Sequence, residues 1–328
     1  MHVAVYLPLL IPVLAALAAR PVADKLPPAA ATWLLAVSAL LLAGASSAVL
    51  GLLALSALVR IPVIETVGHL SRTAISSGDE VALPVAIIAG GVLAAAAASA
   101  ARTMWRRGTA IHYAHRHARR LPGAAEVVVT EDSAADAYTV PGWPCRIVIT
   151  QGMLSALADR EQGVLLAHER SHARNSHYLF TSAARLAAAA NPFLRPVATE
   201  VRYTVERWAD EHAAKATGDR PLTARAVARA ALATSAAPPD RSSALNALGL
   251  IAQEREERAA GKHRRPALPT RRQAGPVPRR VAALLAPPLG LSPLLLAAAV
   301  LLVAVSGASA LEAVRNFHQL IEFAQAGR

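Results

Sequence analysis

Leu165-Leu166-Ala167-His168-Glu169-Arg170-Ser171-His172 lies in an apolar, helix-forming stretch, and the reading of this segment decides the rest of the chain. Four residues of α-helix turn through about 400°, so His168 and His172 share a face with Cβ atoms roughly 5–6 Å apart, and their imidazoles converge on a single ion. Glu169 lies beside that pair, where a carboxylate is a candidate general base. The pattern alone is suggestive in a chain with 11 histidines, and a third ligand is needed.

Downstream the chain reads Val205-Glu206-Arg207-Trp208-Ala209-Asp210-Glu211-His212, with two acids one helical turn apart on one face. Taken alone, such a stretch is most simply a solvated helix face. Paired with HExxH at a separation that permits a helical hairpin, it offers Glu206 as a metal ligand and Asp210 as the group that orients a ligand histidine through its other ring N–H. In zinc peptidases with this spacing, the carboxylate beside the first histidine takes a proton from a water acidified by the metal, and that water attacks a peptide carbonyl.

The run Asp136-Ala137-Tyr138-Thr139-Val140-Pro141-Gly142, the run Arg146 through Leu154, the HERSH motif and Glu206 through Asp210 together resemble the core of the membrane-embedded gluzincin peptidases. Among these the chain is most similar to the BlaR/MecR-type family, with the CAAX-processing and HtpX-like peptidases as cousins, over about residues 110–285. The resemblance implies one zinc ion on His168, His172 and Glu206, with Glu169 as the catalytic base and Asp210 behind the ligands. It implies that an edge strand near Ala137–Val140 binds substrate backbone by strand addition. Arg279-Arg280-Val281-Ala282-Ala283-Leu284-Leu285 resembles the family's closing motif. The antibiotic-sensing members carry an external penicillin-binding domain for which this sequence has no room.

Composition bounds the setting. The chain is 54% hydrophobic and only 4% aromatic, a profile of long helices rather than a β-rich domain. The expected fold is a mainly α integral membrane protein, four transmembrane helices with an inserted α+β gluzincin-like zinc peptidase domain. Residues 1–101 hold three spans (about 3–19, 33–59 and 82–100), the third ending abruptly at Arg102, Arg106 and Arg107. Residues 102–284 form the peptidase domain, with a helical piece at 244–260 and a mobile segment at 261–278. Residues 285–311 hold the fourth span and 312–328 a short external tail. No basic cluster precedes the first apolar run, which argues against a signal peptide.

Six arginines and no acid lie between Arg102 and Arg120, and Arg264, Arg265, Arg271, Arg272, Arg279 and Arg280 precede the last span. Lys and Arg stay on the cytoplasmic side, so the catalytic domain is expected inside the inner membrane, with both termini outside. The formal net charge of +12 is thereby membrane-apposed, with the lipid bilayer as partner. Without interleaved aromatics or a DNA-reading motif, no direct nucleic acid binding is expected. The lone Cys145 excludes an internal disulfide.

Other polar residues near the motif are weighed singly. His112, His115 and His117 do not share one helix face and read as solvated. His177 falls at the wrong spacing for a metzincin ligand and is expected at a polar lip of the site. Arg202, one turn before Glu206, is a candidate to steady that carboxylate or a reaction oxyanion. His212 and Tyr138 are further candidates for transition-state or substrate contacts. The reading is thus a zinc metalloendopeptidase acting on a protein substrate, a transcriptional repressor or the chain itself, in bacterial-type signalling. The alternatives are a quality-control membrane protease and a non-catalytic membrane transducer with a structural zinc site.

Overall fold

Two long N-terminal helices, α1 (Leu7–Lys25) and α2 (Pro28–Leu58), are separated only by the break before Pro27 and Pro28, where proline disfavours helical geometry in the residue preceding it. The structure is a computed structural model that describes residues 7–58, 83–120, 125–142, 145–236 and 276–290, with scattered positions between 293 and 315. The 60–80 loop, the helical piece at 244–260, most of the 261–278 segment and most of the 312–328 tail fall outside the described residues, and so do scattered positions of the fourth span. Pro276 through Pro278, the last residues of the segment read as mobile, already belong to a helix.

Helix α3 (Leu83–Arg120) corrects one expected boundary: the third apolar stretch and the basic helix after it are one continuous element. The change from alanine to arginine near residue 102 alters the solvent each turn prefers and leaves the backbone undisturbed, since both are strong helix formers. Helix α1 likewise runs past Ala19 to Lys25, because Val22 and Ala23 are buried. Among the described residues two stretches, Pro28–Ala54 and Leu83–Arg116, are long and apolar enough to cross a membrane, and α1 is not one of them.

A three-stranded sheet follows, β1 (Val127–Thr130), β2 (Ala137–Val140) and β3 (Arg146–Thr150), in the order β1-β3-β2. Strand β3 pairs parallel with β1, Val128 opposite Val148, and antiparallel with β2, Tyr138 opposite Val148. All five β3 residues are buried, as expected of a central strand, and β2 forms one edge. Thr150 caps helix α4 (Gln151–Ala156), its Oγ1 accepting from the Met153 N–H at 3.1 Å.

Helix α5 (Asp159–Arg174) carries the HExxH motif. Asp159 and Glu161 occupy its first turn, and the Glu161 carboxylate accepts the Ala158 N–H at 3.1 Å. The chain reverses at Asn175 and Ser176 into α6 (His177–Ala190); Ser176 has φ 49° and ψ 44°, a left-handed geometry that costs a non-glycine residue about 1–2 kcal/mol. After a 3-10 turn at Pro192–Leu194, α7 (Arg195–Thr217) ends at Gly218, whose φ of 67° suits glycine. Helices α8 (Arg220–Ala236) and α9 (Pro276–Leu285) close over α7.

Packing ties the N-terminal pair to the motif helices. Helix α2 lies against α3, α6 and α7, and one apolar core joins α1, α2, α6 and α7 through Leu26, Leu42, Leu194, Val197 and Val201. Buried polar contacts fix the register. The hydroxyls of Thr32 and Thr204 meet at 2.9 Å, Asn191 donates to Ser46 at 3.0 Å, and Arg207 donates to the Ala23 carbonyl at 2.7 Å. A second core of Ile147, Ile149, Met153, Leu157 and Leu165 seats α5 on the sheet.

Candidate metal centre

Helices α5 and α7 pack side by side, so the turn bearing His168 and His172 faces the turn bearing Glu206. The two Nε2 atoms lie 3.1 Å apart, Glu206 Oε2 lies 3.7 Å from His168 Nε2, and Glu206 Oε1 lies 3.6 Å from His172 Nε2. Ligand atoms about 2.0–2.1 Å from a tetrahedral zinc are separated by roughly 3.3 Å, so this donor set fits one such ion. Among the described residues it is the one His/Cys/Asp/Glu group that converges in this way.

The groups behind the ligands settle which nitrogens face inward. His168 Nδ1 stands 3.0 Å from Asp210 Oδ1. A carboxylate only accepts, so its charge favours a proton on Nδ1 and leaves Nε2 to face the site. Burial disfavours a charged His168, but the Asp210 hydrogen bond and charge outweigh it and hold the ring's pKa above the ordinary value. His172 has no such carboxylate, and burial pushes it down to about 4. A divalent cation would supply the positive charge that these facing nitrogens and Glu206 call for.

Arg280, from α9, completes the back of the site. Its Nε and Nη2 donate to the two Asp210 oxygens, both at 2.7 Å, and Nη1 lies 2.9 Å from Glu206 Oε2. Burial works against ionising either acid. The guanidinium prevails, so Glu206 sits below its usual range and Asp210 far below its own.

Glu169 is buried beside the ligands, and Thr139 of β2 lies against it, Oγ1 standing 2.9 Å from Oε2 and 3.0 Å from the Glu169 carbonyl. Burial raises its pKa, with His168 and the Thr139 hydroxyl opposing. A carboxyl with raised proton affinity matches what a general base at neutral pH requires. These residues border a cleft of about 1350 Å³, walled by β2 on one side and α6, α7 and α8 on the others.

The structure sorts the remaining candidates. Tyr138 and Arg202 line the cleft, and burial, with Asp136 and Asp132 nearby, pushes the Tyr138 phenol up to about 12, keeping its O–H intact. His212 is not among the residues lining the cleft. His177 corrects the expectation of a polar lip: it is 1% exposed, with Nδ1 3.0 Å from His172 Nδ1 and its ring against Trp208 at a centroid distance of 4.8 Å. Burial, then the neighbouring His172, push its pKa down to about 3. Thr139, His177 and Arg280 gain their importance from tertiary packing. The signals in the sequence were that Thr139 lies in a segment already read as substrate-binding, His177 within reach of the motif, and Arg280 in the run that resembles the family's closing motif.

Comparison with known proteins bears only on the part of the site that α5 carries. No curated protein and no solved structure matches the chain. Residues 100–191, from the basic half of α3 through the sheet and the HExxH helix to the end of α6, match the family model of Peptidase family M48, which supports a place for this chain among the M48 metallopeptidases.

Proposed function

We propose that this chain is a membrane-embedded zinc endopeptidase that cleaves a cytoplasmic or membrane protein in regulatory signalling, with a transcriptional repressor or the chain itself as candidate substrates. The observation that carries the reading is the convergence of His168, His172 and Glu206 beside a buried Glu169, bordering a cleft with an edge strand along it. Zinc, when bound, acts as a Lewis acid and brings the pKa of a water towards neutrality. Glu169 accepts the proton from the attacking water. The one Thr139 hydroxyl proton is shared between Oε2 and the Glu169 carbonyl, which makes Oε1 the less encumbered oxygen to take that proton and later return it to the leaving amine. Substrate backbone adds to the free edge of β2, which places the scissile carbonyl along α5. Tyr138 then has an O–H, and Arg202 a cation, to offer to the oxyanion.

The membrane assignment rests on α2 and α3. Ile87 and Ile88 of α3 are 63% and 65% exposed, in keeping with a lipid-facing surface, and the arginines that follow suit the cytoplasmic interface. Catalysis at the cytoplasmic face of the inner membrane is the side this favours, and both termini outside would require α1 and the last apolar run to cross as well. The size of the cleft favours a second reading, broad quality-control cleavage of membrane proteins.

The test compares new protein N-termini in cells expressing the wild type with those expressing Glu169→Gln, which removes the base and keeps the ligands. Loss of the base is expected to reduce cleavage by at least about 10²-fold. One or a few termini absent from the variant indicate regulated cleavage, and many indicate quality control. Identical profiles, with signalling intact in the variant, replace the peptidase by a transducer.

A further inference from the structure

His177 is held beneath the ligand set by a strained reversal. Asn175 folds back to donate to the Ser171 carbonyl at 3.0 Å, and Ser176 adopts its left-handed geometry. Such a conformation persists where the surrounding structure imposes it. Its consequence here is that the first residue of α6 returns under His172, with ring centroids 4.8 Å apart at 89° and the two Nδ1 atoms 3.0 Å apart.

One proton sits between those nitrogens. For His172 to present the lone pair of Nε2 to a metal, its own proton must be on Nδ1, so His177 Nδ1 is the acceptor and the His177 proton is on Nε2. That Nε2 is buried without a hydrogen-bond partner among the described residues, which is unfavourable and which a phenyl ring in the same place would avoid. The chemistry of Nδ1 is what the position exploits. His168 is backed by a carboxylate through Asp210, and His172 by a neutral ring.

We propose that His177 is a positioning residue that accepts the Nδ1–H of His172 and so fixes the tautomer and ring plane in which His172 offers Nε2 to a divalent cation. The proposal rests on the zinc reading of the site. Outer partners of metal-bound histidines set metal affinity by about 10–100-fold.

Zinc affinity is measured on the full chain in detergent by competition with a chromophoric chelator, for wild type, His177→Phe, His177→Asn and Asp210→Asn. Phe fills the space without an acceptor, and the Asn side-chain oxygen takes the place of Nδ1. His177→Phe is expected to weaken zinc by about 10-fold or more, with His177→Asn within about threefold of wild type. Circular dichroism of the zinc-free forms checks that both variants fold. If Phe binds as tightly as wild type, or Asn is as weak as Phe, the positioning role is overturned while zinc binding stands. If wild type itself binds no zinc, the reading of the site fails first. If Phe fails to fold, His177→Leu takes its place as the acceptor-free variant; if Asn fails, His177→Gln supplies the oxygen, and a loss of affinity to the level of the acceptor-free variant overturns the role.

Discussion

Arg280 shows how one side chain governs the charge of the whole centre. Its fork binds both oxygens of Asp210, which is 1% exposed, and reaches Glu206. Removing one partner of a buried pair costs about 3–5 kcal/mol, because the other charge is left stranded. Arg280→Met is therefore expected to destabilise the zinc-free protein by about 3 kcal/mol, the lower figure because Glu206 is partly exposed. Arg280→Lys restores only part of this, since an ammonium cannot span two oxygens in one plane. Denaturant titration measures both variants, and a loss below about 1 kcal/mol for Met would show that water compensates the acids. In the sequence the run Arg279-Arg280 only resembles a closing motif; its pairing with Asp210 was not legible, because the two are 70 residues apart and arginine in a basic run reads as surface charge. The shared facing of His168 and His172 was legible because a four-residue spacing dictates a common helix face whatever the tertiary structure.

At the scale of elements, α4 illustrates how tightly the sheet and its loops are assembled. A Cβ on Gly152 would lie 2.1 Å from the Ser133 carbonyl oxygen and 2.6 Å from its carbon, both backbone atoms that cannot move aside. Gly152→Ala is expected to cost about 3 kcal/mol, the upper end for overpacking. Gly163, in the exposed face of α5, meets nothing within 4 Å, so Gly163→Ala should stabilise by about 0.5–1 kcal/mol through helix propensity. Thermal melts of the pair decide the matter, and two variants of equal stability would mean that the Ser133 loop yields freely. Helices with caps were readable in order: Gly218 stops α7, and Asn191-Pro192 stops α6. Helices α1 and α3 run beyond the apolar runs read as spans because hydropathy reports the surrounding solvent, while the backbone continues until proline or loop chemistry intervenes. Sequence also could not show that α2 packs on α6 and α7, an arrangement in which Trp33 meets Phe180 at 4.7 Å and Phe180 meets Trp208 at 6.0 Å. That aromatic row runs from a candidate span to the ring of His177.

At the scale of the whole molecule, the centre makes stability depend on pH and metal together. In the zinc-free protein His172 and His177 have pKa values lowered to about 4 and about 3, so the unfolded chain binds more protons than the folded one below about 6.5. Their contribution is present above that pH and is lost as pH falls, by at most about 1.4 kcal/mol per pH unit for each ring. Glu169, raised by burial, opposes them in part of the same window, because its protonated form favours the fold. Glu206 and Asp210, held low against the desolvation that burial imposes by Arg280, add a further loss as the pH falls below about 4. His168 acts in the other direction: raised by Asp210, its contribution is present below about 6.5 and lost as pH rises through its folded value. The zinc-free protein is thus expected to be most stable near pH 6.5 and to weaken on both sides. Zinc at 100 times its dissociation constant adds about 2.7 kcal/mol at neutral pH. Because the ligands must be free of protons, that gain shrinks as the solution is acidified. Melting temperatures from pH 4 to 9, with and without zinc, measure the two curves. Parallel curves would mean that zinc is not held by groups that titrate in this range, which excludes His168 and His172. Convergence on the acid side and wide separation near neutrality would show that the ion is held by groups that titrate between the two limits, as His168 and His172 do, because only such ligands make its stabilising effect depend on pH in this way.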